Sequence, residues 1–178
     1  MDKENNIKKQ KNEEDNRQNV TIVDMMECRE RRVQIQNKLI QEFHVPVISF
    51  CMNIPGPVKT SERIRSGFES GKEDLMKALL NNRVKIYKTI EFHEITGDEL
   101  LLSADAPAEK LKDIAVLIEE NHKYGRLFDI DIIKINGEKI SRQAYRKCLI
   151  CGDQAQNCAR SRKHTIEELQ KQIKKILA

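Results

Sequence analysis

Three features of this sequence predict a single α+β domain. Between residues 46 and 135, short stretches rich in β-branched and apolar residues alternate with longer stretches whose apolar residues recur at helical spacing. The 178 residues suffice for one domain with a small appendage. Aromatic residues make up only 4% of the chain and tryptophan is absent, so we expect an aliphatic core.

The N-terminal part divides into a leader and a helix. Residues 1–20 are rich in Asn, Lys and Glu and have almost nothing to bury, so we expect a disordered leader before one domain at 21–178. The first helix is expected to start at Asp24, with Glu27 as its capping partner. Apolar residues at helical spacing indicate that it continues to about Phe43.

The next elements follow the order strand, helix, strand, strand, helix, strand. We expect a strand at 46–54, a helix from Thr60 or Ser61 to about Leu80, strands at 84–95 and 99–104, a helix opened by Asp105 and Pro107, and a strand at 125–133. In the second strand, Val84, Ile86, Ile90 and Phe92 should face inward together. This order predicts a ferredoxin-like split β-α-β core (βαββαβ), in which the first and last strands pair antiparallel. A Cys/Arg-rich helical extension should follow it.

Two carboxylates lie within the last strand of this core. Asp129 and Asp131 share one face because side chains alternate along a strand, while Phe128 and Ile130 take the other. Like charges this close repel unless a cation lies between them, and an Asp-x-Asp pair on a strand is a common Mg²⁺ site in phosphoryl-transferring enzymes. The alternative is a half-exposed strand whose acids face water.

The end of the first strand has the features of an anion site. Pro-Gly-Pro at 55–57 prevents further strand pairing, and Gly56 lets a ligand approach the backbone. Lys59 and a helix N-terminus follow, although the spacing is not that of a P-loop. In the predicted topology, Asn53 and Lys59 would lie near Arg126 and the Asp pair.

The C-terminal part is basic. From Lys139 onward, ten Lys or Arg residues stand against three acids, which suits an anionic partner. The arginines in this segment that could contact an anionic partner are Arg142, Arg146, Arg160 and Arg162.

Four residues in the same region have the composition of a small zinc site. Cys148, Cys151, Cys158 and His164 form the pattern C-x₂-C-x₆-C-x₅-H, which predicts a candidate Zn²⁺ site. The alternative is a set of reduced structural thiols beside a basic helix start. An odd count of five cysteines, a charged N-terminus and the absence of a long apolar run indicate a cytoplasmic protein without a membrane segment.

Three blocks of this sequence resemble one enzyme family. NIPGPVKTS (53–61), GRLFDIDII (125–133) and RKCLICGDQAQNCARSRKHTIEEL (146–169) are similar, in order and spacing, to the citrate lyase holo-acyl-carrier-protein synthases, also called apo-citrate lyase phosphoribosyl-dephospho-CoA transferases. The resemblance extends from about Met25 to the end. It implies a cytoplasmic enzyme that transfers a prosthetic group from 2′-(5″-triphosphoribosyl)-3′-dephospho-CoA to a serine of the citrate lyase acyl carrier (gamma) subunit, releasing diphosphate.

This chemistry gives the candidate residues roles. The serine oxygen attacks the α-phosphorus of a triphosphate, which requires charge neutralisation and a metal. Asp129 and Asp131 would hold Mg²⁺, and one of them could accept the serine proton. The residues expected to neutralise or position the phosphates and ribose are Asn53, Gly56, Lys59, Arg126, Arg142, Arg146, Arg160 and Arg162.

Two other functions fit parts of the pattern. One is a non-catalytic nucleotide- or RNA-binding module with a zinc-stabilised basic tail, although RNA-binding sheets display aromatic residues that are scarce here. The other is a polymerase-like nucleotidyltransferase with the same Asp pair and a different acceptor. If the chain is the transferase that the resemblance implies, no nucleic-acid partner is expected.

Overall fold

The computed structural model describes residues 19–178, which form a mixed α/β structure with four strands and five α-helices. The elements are α1 (Ile22–Phe43), β1 (Val47–Met52), α2 (Glu62–Asn81), β2 (Lys85–Glu94), β3 (Gly97–Asp105), α3 (Ala108–Asn121), β4 (Phe128–Ile133), α4 (Ala155–Ser161) and α5 (Ile166–Ile176). A 3₁₀ turn at Gly125–Leu127 precedes β4, which therefore starts later than predicted. No helix within 19–178 combines the length and apolarity that a membrane crossing requires.

The predicted leader lies outside the described residues except for Asn19 and Val20. Val20 is buried, and its backbone N–H donates to the Pro57 carbonyl at 2.8 Å. The folded part of the chain therefore includes Val20.

All strand pairs are antiparallel, and the sheet order is β2-β3-β1-β4. The predicted pairing of the first and last core strands is confirmed, because Cys51 lies opposite Asp129 and Met52 lies opposite Phe128. This register brings the end of β1 to the start of β4.

Two helices cover one face of the sheet. Phe50 and Phe128 from β1 and β4 pack with Phe68 and Leu75 of α2 and with Leu111 of α3 in the largest buried cluster. Burial of such side chains stabilises the fold by roughly 1.5–3 kcal/mol each.

The long helix α1 packs on the other face. Leu39 and Ile40 contact Val47, Leu101 and Ile133. The face that an RNA-binding sheet leaves open is therefore covered here.

The prediction for the start of α1 was wrong. The N-cap is Thr21, whose hydroxyl accepts a hydrogen bond from the Asp24 backbone N–H at 3.2 Å. The Asp24 carboxylate in turn accepts from the Thr21 backbone N–H at 2.8 Å, which completes a capping box.

The prediction that Val84, Ile86, Ile90 and Phe92 share one face of the second strand was also wrong. A bulge between Ile86 and Lys88 shifts the register. Val84 and Ile86 therefore join the cluster under α2 and α3, whereas Ile90 and Phe92 pack toward α1. A bulge inserts one residue and so reverses the side-chain alternation after it.

The C-terminal helix α5 fixes the basic segment from Lys139 onward, called the basic extension below, to the core. Thr165 and Glu168 form the predicted capping box. Ile173 packs with Ile54, Ile64 and Leu127 beside the ends of β1 and β4. The basic extension thus lies over the junction of these two strands.

Candidate active site

A cleft of about 1000 Å³ opens where β1 ends and β4 begins. Asn53 follows β1 and Arg126 precedes β4, and both line the cleft. The Asn53 backbone N–H donates to the Leu127 carbonyl at 2.7 Å, which holds these two segments together. Helix α3 contributes Glu119 and Glu120, and most of the remaining lining comes from residues 142–169.

The lining of this cleft is both cationic and apolar. Five cationic side chains and two carboxylates line it, so its net charge is positive. The cations are Arg126, Arg142, Arg146, Lys147 and Arg162. Leu149, Ile166 and Leu169 add an apolar surface. Such a cleft suits a ligand that combines phosphate groups with a less polar arm.

The structure brings together five of the residues that the sequence assigned to catalysis or substrate binding. Asn53, Arg126, Arg142, Arg146 and Arg162 all line the cleft. The predicted approach of Asn53 to Arg126 is confirmed, while the roles of these residues remain predictions. Arg160 does not line the cleft and is exposed on α4.

The Pro-Gly-Pro loop is covered by α5. Gly56 has φ +93°, and a Cβ built on it would lie 3.1 Å from Ile166 Cγ2 and from Gln170 Nε2. The Gln170 side-chain amide donates to the Pro55 carbonyl. Gly56 therefore allows α5 to approach the loop closely, and Pro55 beside it lines the cleft.

Lys59 lies outside the cleft lining and contacts its own loop. Its Nζ atom donates to the Ile54 carbonyl at 2.6 Å. Burial, followed by the charge of Arg29, lowers the pKa of the Lys59 ammonium. This hydrogen bond closes the loop between β1 and α2.

The Asp pair lies on the face of the sheet that carries α1, whereas the cleft is bounded by α3 on the opposite face. Burial and the neighbouring charge of Asp129 raise the pKa of the Asp131 carboxyl, and an ion pair with Lys139 opposes that rise. Asp129 is half-buried opposite Cys51. The predicted shared face is confirmed. Two crowded carboxylates offer oxygen ligands that suit Mg²⁺, and magnesium binding there stays a prediction.

Glu119 is a functional candidate that the sequence reading missed. Its side chain is only 3% exposed, and its Oε1 atom accepts a hydrogen bond from the Ile130 backbone N–H at 2.9 Å. It forms ion pairs with Arg146 and, at 3.6 Å, with Arg142. Burial raises the pKa of the Glu119 carboxyl against these favourable contacts. The sequence signal that could have identified Glu119 is its position four residues after Ala115, which places this acid on the buried face of α3.

The turn between α3 and β4 places Arg126. A Cβ on Gly125 would overlap the Glu119 carbonyl oxygen, so only glycine allows this close approach. Arg126 Nη2 donates to the carbonyls of Lys147 at 2.7 Å and Cys148 at 3.2 Å. Arg126 thus joins the start of β4 to the basic extension.

The predicted cysteine–histidine set is assembled at the side of the cleft. Cys148, Cys158 and His164 line the cleft, and the Cys151 thiol lies 3.5 Å from that of Cys158. Burial opposes ionisation of Cys148, but hydrogen bonds from the backbone of Cys151 and Ile150 lower the pKa of its thiol.

A comparison with known families identifies the kind of protein that contains this cleft. The profile of the family described as apo-citrate lyase phosphoribosyl-dephospho-CoA transferase matches residues 20–178. The chain belongs to this transferase family. The resemblance inferred from the three sequence blocks is confirmed, and the matched range includes every residue that lines the cleft.

Individual members of the family align over most of the chain. The apo-citrate lyase phosphoribosyl-dephospho-CoA transferases of Escherichia coli O7:K1 (strain IAI39 / ExPEC) and Shigella boydii serotype 18 (strain CDC 3083-94 / BS512) are similar to it. Each is 33% identical over 162 residues, which is 89% of this chain and 88% of the relative. The family assignment therefore applies to residues 20–178, including the basic extension.

Proposed function

We propose that this chain transfers the phosphoribosyl-dephospho-CoA unit from 2′-(5″-triphosphoribosyl)-3′-dephospho-CoA to a serine of the acyl carrier (gamma) subunit of citrate lyase, with release of diphosphate. Family membership supports the reaction class. The observation that carries the proposal is the cleft of about 1000 Å³ lined by five cations and an apolar surface.

The donor and this cleft match in charge and size. A triphosphate needs several cationic hydrogen-bond donors, and arginine can bind phosphate through two parallel hydrogen bonds. Arg142 and Arg146 are held near Glu119 on one side, and Arg126 is anchored to the carbonyl of Lys147. The volume is at the upper end of the roughly 300–1000 Å³ typical of small-molecule sites, as a CoA-sized donor requires.

The reaction proceeds by attack of the serine oxygen on the α-phosphorus, which breaks its bond to the diphosphate. Arginines already fixed in the cleft stabilise the charge that develops on the departing diphosphate without reorganising during the step. Asn53, at the end of β1, would position the ribose or a phosphate oxygen.

Asp129 and Asp131 would hold Mg²⁺ in this proposal. Neither carboxylate lines the cleft, so the ion would neutralise and orient only phosphate oxygens that extend past the start of β4 to the α1 face of the sheet. The crowding of the two carboxylates supports this assignment, since burial and Asp129 both raise the pKa of Asp131. Lys139, which pairs with Asp131, would give way to the ion.

We also propose that residues 20–178 form one transferase domain built on a ferredoxin-like split β-α-β core; the start is one residue earlier than the sequence predicts because Val20 is buried. The strand order β2-β3-β1-β4, with both α2 and α3 on one face, supports this fold. The helix α1 and the extension after β4 would be additions to that core.

Intact-mass spectrometry of the apo carrier subunit tests the function directly. Incubation with the triphosphate donor, Mg²⁺ and this protein should add one phosphoribosyl-dephospho-CoA unit to each carrier. A carrier whose acceptor serine is replaced by alanine is the control and should gain nothing. Addition of a nucleotide from ATP instead, or no mass gain, would contradict the proposal.

A further inference from the structure

A cluster of four side chains organises the extension after β4. Cys148, Cys151, Cys158 and His164 each offer one ligand atom, and these atoms all lie within 4.8 Å of one another. The Cys151 and Cys158 sulfurs are 3.5 Å apart, and His164 Nε2 is 3.3 Å from the Cys151 sulfur. The cluster gathers residues from a loop, from α4 and from the turn before α5.

The loop that carries the first two cysteines is folded tightly around a sulfur. The Ile150 backbone N–H donates to Cys148 Sγ at 3.5 Å. Gly152, directly after Cys151, has φ +76°, a conformation that glycine adopts without strain. Backbone hydrogen bonds close the loop on both sides, from Cys148 N–H to the Asp153 carbonyl at 2.5 Å and from Ala155 N–H to the Arg146 carbonyl at 2.8 Å.

We propose that these four residues bind one Zn²⁺ ion in a closed structural site. Zinc in a tetrahedral site lies about 2.3 Å from thiolate sulfur, so the ligand atoms are about 3.8 Å apart. The observed separations are of this size. A disulfide would require about 2.0 Å between two sulfurs and would leave the third cysteine and the histidine unexplained.

The surrounding chain has almost no apolar core of its own to fix its shape. Between residues 134 and 165, the only buried apolar side chains are Cys148 and Cys158. The only α-helix in that stretch is α4, with seven residues. A segment of this size without an apolar core usually needs a metal or a disulfide to hold one conformation.

The position of the cluster gives the ion a function. Cys148, Cys158 and His164 line the cleft, and Arg146, Lys147 and Arg162 are their neighbours in the chain. A metal at this point would fix the part of the cleft that carries these cations. With four protein ligands and no open position, the zinc would be structural and would take no part in the reaction.

Metal analysis of the wild-type protein is the first test. The full chain is purified without an affinity tag or chelator, and its zinc content is measured by inductively coupled plasma mass spectrometry. We expect about one zinc per chain, as four protein ligands require. Less than about a tenth of a zinc per chain, together with no uptake of added Zn²⁺ or Co²⁺, would overturn the proposal.

Variants assign the ligands. Cys151 is exposed, so Cys151→Ser should leave the sheet intact while zinc content falls at least about tenfold after dialysis against a weak chelator. The matched control is Cys51→Ser: Cys51 lies on β1 outside the cluster, and burial raises the pKa of its thiol to about 12. The control should keep its zinc. Full zinc retention by Cys151→Ser would contradict the ligand assignment.

Cobalt substitution gives a readout that does not depend on any variant. Co²⁺ bound by three thiolates and one imidazole in tetrahedral geometry shows intense visible bands and thiolate charge-transfer absorption. We expect both in the wild-type protein at one Co²⁺ per chain. A weak spectrum typical of octahedral oxygen ligation, or a disulfide among these cysteines in freshly reduced protein, would refute the site.

Discussion

The two sides of β4 hold carboxylates in opposite surroundings. On the cleft side, Glu119 is buried among Arg142, Arg146 and a backbone amide, so its charge is already matched by protein groups. On the α1 side, Asp129 and Asp131 crowd each other with one ion pair to Lys139. The comparison indicates that the first carboxylate positions protein cations, whereas the second pair is suited to attract a cation from solution.

The largest expected effect comes from replacing one carboxylate of the Asp129/Asp131 pair. Asp131→Asn should lower the transfer rate by on the order of 100-fold or more at saturating Mg²⁺, because the proposed Mg²⁺ site would lose one of its two carboxylates. Turnover is measured by the mass gain of the carrier. Asp113→Asn, at an exposed acid of α3, is the matched control. Near wild-type turnover of Asp131→Asn would remove the Asp pair from the reaction.

The next largest effect is a loss of folding stability when the buried Glu119 beside the cleft is replaced. Glu119→Ala leaves the Ile130 N–H without its acceptor and Arg146 without its ion pair, so we expect a loss of about 3 kcal/mol in the free energy of unfolding. Urea denaturation measures this. Glu120→Ala, next to it but exposed, should change stability by less than about 0.5 kcal/mol. Equal effects would show that Glu119 does not hold the arginines.

A pair of arginines near the end of α4 sharpens the assignment of the cleft. Arg162 lines the cleft and Arg160 does not. Arg162→Gln should weaken donor binding about tenfold, the loss expected for one charged hydrogen bond, whereas Arg160→Gln should change it less than about twofold. Calorimetric titration of the donor into each variant gives the affinities. A larger loss of donor affinity in Arg160→Gln than in Arg162→Gln would place the donor outside this cleft.

The smallest effect is a dependence of stability on pH. Because the pKa of Asp131 is raised above its ordinary value of 3.8, folding favours its protonated form. This contribution is fully present below the ordinary pKa and is lost as pH rises through the folded-state pKa. Without Mg²⁺, wild type should therefore lose stability relative to Asp131→Asn over that range. Urea unfolding at several pH values measures the free energy of unfolding of both proteins. If the difference between wild type and Asp131→Asn did not change with pH, the pKa of Asp131 would not be raised by burial and the charge of Asp129.

Local patterns predicted much of this molecule. The alternation around Asp129 and Asp131 gave the correct face for each, and the Thr165–Glu168 pattern marked the start of α5. The spacing from Cys148 to His164 predicted a set of side chains that the structure brings together. These features depend on neighbours in the sequence, so the sequence alone suffices.

Features that depend on distant partners were missed. Glu119 resembles an ordinary helix acid until Arg146, far along the chain, is placed beside it. The side chain of Lys59 turns back to the Ile54 carbonyl, which spacing alone does not reveal. The bulge after Ile86 depends on pairing with β3. Side-chain burial and cross-strand register are set by the whole fold.

A structure of the protein with the triphosphate donor and Mg²⁺ bound tests the central claim, that the cleft holds the donor, most directly. We expect the triphosphate oxygens within hydrogen-bond distance of at least two of the cleft arginines Arg126, Arg142, Arg146 and Arg162, with the less polar arm near Leu169. Donor density on another surface, with these four guanidinium groups free of phosphate contacts, would contradict the account.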